Sequence, residues 1–99
     1  MAEFSCYICN KKVITGEKFT FTKSGAVHYD CFIHVRRKEV PEEKQAVLRQ
    51  LAILLDVQLT YLLQVIQLKQ SGIELEAIFS AYKNIEKECG ETTRQISSL

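Results

Sequence analysis

Residues 6–31 read CYICNKKVITGEKFTFTKSGAVHYDC, and the spacing of their sulfur and imidazole groups decides how the first part of the chain folds. Cys6-x2-Cys9 is followed after eighteen residues by His28-x2-Cys31. This is the pair-and-pair arrangement with which a polypeptide closes a tetrahedral zinc site from thiolates and imidazole. A tight turn after Cys6 lets both sulfurs of the first pair face one point, and Asn10 suits that turn because Asn tolerates a left-handed backbone. The second pair falls at a predicted helix start, where positions i and i+3 share a face and free amides favour a negatively charged metal-thiolate group. His34 offers a rival to His28, since Cys31-x2-His34 also has workable spacing. The bland alternative for all four is buried cysteines and an ordinary histidine.

Between the pairs, Val13-Ile14 and the alternation of Lys18 to Thr22 read as short strands, broken by Thr15-Gly16 and Lys23-Ser24-Gly25. They predict small hairpins, then a helix from Tyr29 or Asp30 before Pro41 stops it or opens the next one. A segment of this size has little core of its own and needs a staple. Zinc binding to such sites contributes on the order of 10 kcal/mol of folding energy. The expectation is therefore one structural Zn2+ per chain, held by Cys6, Cys9, His28 and Cys31, with Phe4, Val13, Phe19, Phe21 and Phe32 clustered around it. The charge of three thiolates, one neutral imidazole and a divalent ion sums to −1, which Lys11 and Lys12 lie close enough to balance.

The run CYICNKKVI-x-GE followed by HYDCF resembles the first zinc-binding half of a LIM domain and, more broadly, a treble-clef finger. That resemblance implies a knuckle, a hairpin and a helix whose first turn supplies the last ligands, and it places Phe32 between modules. The likeness covers about 30 of the 99 residues. Where a LIM domain would begin its second site this chain has His34 and Arg37, and no further ligand pairs follow. The whole chain is also similar to short archaeal proteins of an uncharacterised family with the same ligand pattern, a likeness that implies no activity.

Past Pro41 the pattern changes. Glu42-Glu43 suit a helix N-terminus, and a helical phase then runs to Gln70 without a breaker. Leu48, Leu51, Leu54, Leu55, Leu59, Tyr61, Leu62, Val65 and Ile66 fall on one broad arc, with Gln45, Arg49, Asp56, Thr60 and Gln67 opposite. Ser71-Gly72 breaks the run. A second helix is predicted from Ile73, carrying Leu75, Ile78, Phe79, Tyr82, Ile85 and Cys89 on one face, with Gly90 as its C-terminal cap and residues 91–99 as a frayed or ordered tail. The fold class is thus α+β: a single-zinc treble-clef and β-hairpin module over residues 1–40, then an α-helical hairpin over 41–99.

The chain is 46% hydrophobic and 25% charged, with a net charge of +1. That composition is of an ordinary globular protein. Residues 1–40 hold seven Lys or Arg against four acids, and residues 41–99 hold six against eight. The first part alone leans towards polyanions, and Lys11, Lys12, Arg36, Arg37 and Lys38 are the candidate nucleic-acid contacts. No basic start and apolar run of a secretory signal is apparent, so a reducing, cytoplasmic address is expected. The window Leu51 to Leu68 contains Asp56 and several Gln and is read as a buried helix, with no membrane role. A catalytic zinc needs an open position beside an acid or base, whereas Glu17 and Asp30 read as a turn residue and a helix cap. No enzymatic activity and no small-molecule substrate are expected. The apolar arc of the long helix is broader than one partner helix covers. Leu48, Leu51, Leu55, Leu59, Leu62 and Ile66 are therefore the candidate interface for a homo-oligomer or protein partner, in the role of adaptor or subunit.

Overall fold

Alternating side chains and a two-residue turn make the Phe19 to His28 segment a hairpin. A computed structural model describes residues 4–72 and 75–99. In it β1 (Phe19–Thr22) pairs antiparallel with β2 (Gly25–His28), in the register Phe19 to His28 and Thr22 to Gly25. Gly25 closes the turn with φ of +124°, a region that L side chains rarely adopt. The period of two sends Thr20 and Val27, which are paired, to the interior, and leaves the phenylalanines of β1 on the other face. Phe4, Phe19 and Phe21 accordingly form an aromatic triad with centroids 5.1 to 6.2 Å apart, and Phe4 and Phe21 remain exposed. The apolar shell expected from the sequence is corrected here. Among those five residues only Phe32 is buried, and it joins Val27, Ile33 and Cys6 in the core.

Helix α1 spans Tyr29–Glu39, with His28 at its N-cap and Asp30 in the first turn, so Asp30 is not the cap. Pro41 disfavours helical backbone at the residue before it, and Val40 is extended (φ −76°, ψ 133°). The Gln45 side-chain amide donates to the carbonyls of Arg37 (3.0 Å) and Val40 (2.8 Å), satisfying acceptors that the end of α1 leaves open. A 3-10 turn at Glu42–Lys44 leads into α2, Gln45–Lys69, about 37 Å long at the standard rise. Gly72, at φ +85°, lies in the turn that follows. The predicted helix start at Ile73 lies outside the described residues, and the described helix α3 is Glu76–Ser97.

Gly90 is not a cap. Helix α3 runs through it for seven further residues, because Thr92, Thr93 and Ile96 find burial on the far side. That burial outweighs the roughly 1 kcal/mol that a mid-helix glycine costs. Contacts link α3 to both α2 and β1, and α1 to α2 and β2. The result is one continuous core in which Cys6, Val27, Phe32 and Ile33 from before Pro41 meet Leu48, Leu55, Leu59, Ile85, Cys89 and Ile96 from after it. Polar ties cross the same seam. The Tyr29 hydroxyl donates to the Ala52 carbonyl at 2.6 Å, and Lys18 pairs with Asp56. Thr93 Oγ1 donates to the Cys89 carbonyl at 2.8 Å, so the buried 2.7 Å contact between the two hydroxyls must be donated by Thr20.

The long helix is less buried than its sequence implies. Glu42–Lys69 is long and apolar enough to cross a membrane by length and composition, and 22% of its most apolar window is buried within the chain. One side of α2 packs on α3 and α1, while Ile53, Leu54, Val57, Tyr61 and Leu68 face outward. An apolar arc of half a helix circumference is wider than the contacts available to it in one small chain.

Candidate metal centre

The first ligand pair is shaped by backbone hydrogen bonds. Cys6 N–H donates to the Lys11 carbonyl (2.9 Å) and Asn10 N–H to the Cys6 carbonyl (2.8 Å), which wraps residues 6–11 into a knuckle. Asn10 takes the left-handed conformation expected of it, φ 63°. A bridge between Ser5 and Lys12 closes the base of the knuckle, and the Tyr7 amide docks it on β2 through the Ala26 carbonyl at 3.0 Å. The second pair comes from the end of β2 and the first turn of α1: His28 is the last strand residue and Cys31 stands one helical turn on.

These elements bring Cys6, Cys9, His28 and Cys31 together with every ligand atom within 4.8 Å of every other, close enough to hold one metal ion. Cys6 is fully buried and the other three are half-buried. His28 turns Nδ1 inward, 3.3 Å from Cys9 Sγ, and points Nε2 outward to Glu17 Oε1 at 3.2 Å. Glu17 Oε1 also accepts the Ile14 N–H at 2.7 Å, so the carboxylate is anchored by its own turn. This is the carboxylate–histidine arrangement that fixes a ligating imidazole's ring and leaves its inner nitrogen free to donate to a metal. Glu17 is thus a turn residue, as its sequence position implies, and a support for His28, which that position did not reveal. The Gly16-Glu17 step after a β-type segment is the signal that could have pointed to it.

The electrostatics favour a cation at the centre. Burial opposes ionisation of Cys6, but amides of Cys9, His28 and Ile8 outweigh it and bring the thiol down to about 6; the His28 amide lies 3.4 Å from Sγ. For Cys31, burial first and then the hydrogen bonds and charges of Cys6 and Cys9 push the thiol up to about 11. Burial likewise opposes protonation of His28, but Cys9, Cys6 and Glu17 more than offset it and raise the imidazole. Cys6 is thus shifted towards the thiolate and Cys31 away from it, the latter because burial and neighbouring sulfurs disfavour a second negative charge. A divalent ion removes that conflict, and three thiolates with an imidazole form a soft donor set that suits one.

His34, the rival ligand, lies exposed on α1 and outside the cluster; it stands one helical turn beyond Cys31, where the rise of the helix has carried the chain past the knuckle. The basic residues are dispersed. Lys11, Lys12, Arg37 and Lys38 are exposed, whereas Arg36 is half-buried and donates from Nε to the Ile96 carbonyl at 3.3 Å, with Glu39 beside it at 3.4 Å. Arg36 therefore ties α1 to the end of α3 and is not a free phosphate contact. The interface residues read from the sequence are also redistributed. Leu48, Leu55 and Leu59 are buried within the chain, and Leu51, Leu62 and Ile66 are half-buried against it. The chain's own α3 and finger cover that side of α2, so it is not the surface offered outward.

A family model described as an uncharacterized protein conserved in archaea (DUF2175) matches residues 2–98. No curated protein and no solved structure matches the chain.

Proposed function

The chain belongs to this archaeal family, and from that premise we propose that it is a non-enzymatic interaction protein, an adaptor or subunit whose finger is stapled by one structural zinc ion. The observation that carries the reading is the closed donor set. Four protein ligands, Cys6, Cys9, His28 and Cys31, converge within 4.8 Å and would complete a tetrahedral shell, leaving no position for a reacting water. Burial of Cys6 at the heart of the core supports a structural role, since the metal's first ligand is also a packing residue. Thiolates held ready for a metal fit a reducing compartment.

The working parts in this reading are the helices. The metal fixes the finger, the finger and α3 hold one side of α2, and the other side of α2 is presented to a partner. Metal analysis of purified protein, combined with circular dichroism before and after chelation, tests the structural role. The expected result is one zinc per chain and loss of fixed structure on its removal. A protein that folds unchanged without metal, or that binds none, overturns it.

A further inference from the structure

We infer that the outward face of α2 is a homodimer contact, covered by α2 of a second copy of this chain. The inference rests on the interaction reading above, but not on the identity of the metal. Val47, Leu54, Tyr61 and Leu68 recur every seven residues and are 45%, 45%, 47% and 52% exposed. Ile53 and Val57 beside them are 60% and 61% exposed. A seven-residue recurrence keeps one seam facing a neighbouring helix that crosses at a shallow angle. Nothing in the chain's own core requires that spacing, because these side chains contribute little to it.

Charge and area agree. Between Arg49 and Lys69 the helix carries a single charged residue, Asp56, which Lys18 of the same chain already pairs. Depletion of charge at the centre with charges confined to the ends is the pattern of an interface. Those six side chains expose on the order of 500 Å² of apolar surface, near the upper end for a monomer's largest patch. It is also about the apolar part of the ~800 Å² that each partner buries in a stable complex.

The shape of the face argues for a second copy over an unrelated partner. Beside the ridge of Leu54, Val57 and Tyr61 lies a trough of about 610 Å³, whose far wall on α3 is formed by the small residues Ala77, Ser80 and Ala81 and, further along, by Asn84, Ile85 and Glu88. Ridge and trough on one face are self-complementary: a two-fold axis seats each copy's ridge in the other's trough. A lipid surface fits less well, because helices lying on membranes carry several Lys and Arg along their polar face, and the polar stripe of α2 has one Arg, Arg49, with Asp56 and otherwise Gln and Thr.

The test is solution mass by light scattering over a dilution series of the metal-loaded full-length protein, with metal content and circular dichroism on the same samples. Expected are twice the 11.4 kDa chain mass for the natural protein, and monomer throughout for a Leu54→Glu, Tyr61→Glu variant with unchanged metal content and helicity. A milder Leu54→Ala, Val57→Ala variant should fold in any case and weaken association at least about tenfold. A natural protein that stays monomeric, whether or not it floats with phosphatidylcholine vesicles, overturns the inference; flotation would assign the face to lipid instead. A dimer indifferent to both variants overturns it too. A monomer that still loses its structure on chelation sinks this inference alone and leaves the zinc-staple reading standing.

Discussion

At the scale of single residues, the bond between Glu17 and His28 is the most informative contact in the molecule. Its carboxylate holds the outer nitrogen of the imidazole while Nδ1 faces the sulfurs. Removing the support while keeping the shape, Glu17→Gln, should lower metal affinity about tenfold without altering the loaded fold. Competition with a chromogenic chelator measures it. Because thiolates and imidazole must lose protons to bind, metal is released as pH falls, and the variant should release it at a higher pH than the natural protein. An acid-release curve identical in both would remove Glu17 from the site. Cys89 illustrates the opposite situation. Burial first, then Glu88 and Glu86, push its thiol up from 9.0 to about 11. A group raised on folding supports stability below its unfolded value and withdraws that support above its folded one. The contribution is therefore intact below about pH 9 and lost as the pH rises through about 11. Urea titrations should show an alkaline loss of stability that is smaller in Cys89→Ala, and thiol reagents should reach Cys89 only on unfolding. The four ligands were legible in the sequence because their spacing is set by local turns. Glu17's role was not, since it depends on how the hairpin returns His28 eleven residues later.

At the scale of elements, α3 shows what propensity alone misreads. A glycine followed by polar residues looks like a helix end, yet the helix passes through Gly90 to Ser97. Gly90 has no positive φ, and a Cβ built on it meets nothing within 4 Å. Gly90→Ala should therefore stabilise the protein by about 1 kcal/mol, read as a higher urea midpoint with an unchanged slope. A destabilised variant would mean that this stretch is not helical. Ile96, fully buried at the far end of the same helix, is what makes the extension worthwhile. Its truncation to Ala should cost about 2 to 4 kcal/mol in the same titration, whereas a fraying tail would lose almost nothing. Ile96 lies seven residues after Cys89 and keeps the phase of the α3 stripe. What was not visible was the surface waiting for it, because that surface belongs to the finger, and Thr20 and Thr93 meet across 73 positions of chain. Helix α2, by contrast, could be read almost to its ends, since its period persists and Pro41 and Gly72 frame it.

At the scale of the whole molecule, the seam at Pro41 divides the sequence but not the core. Sequence composition changes there because a loop-rich metal module gives way to helices, and composition reports local structure. Packing does not respect the boundary: Cys6, one of the four clustered donors, shares a hydrophobic cluster with Leu55 and Ile96, and Tyr29, Lys18 and Thr20 each bond across to the helices. If the metal held only its own module, chelation would unfold the finger and leave the helical hairpin standing. The shared core forbids that separation. Removing a bound ion would free the knuckle, and with it Cys6, Val27 and Phe32, which form one wall of the hydrophobic cluster that Leu48, Leu55 and Ile96 complete. Loss of one wall exposes apolar surface on both sides of the seam, at roughly 25 cal/mol for each Å². The helices must therefore lose stability with the metal. The far-ultraviolet helical signal and metal release, followed together through a chelator titration or a thermal ramp, should change in a single coincident transition. Helicity that persists with an unchanged midpoint after the metal has been removed would show two independent units, and the joint core would then contribute nothing to stability.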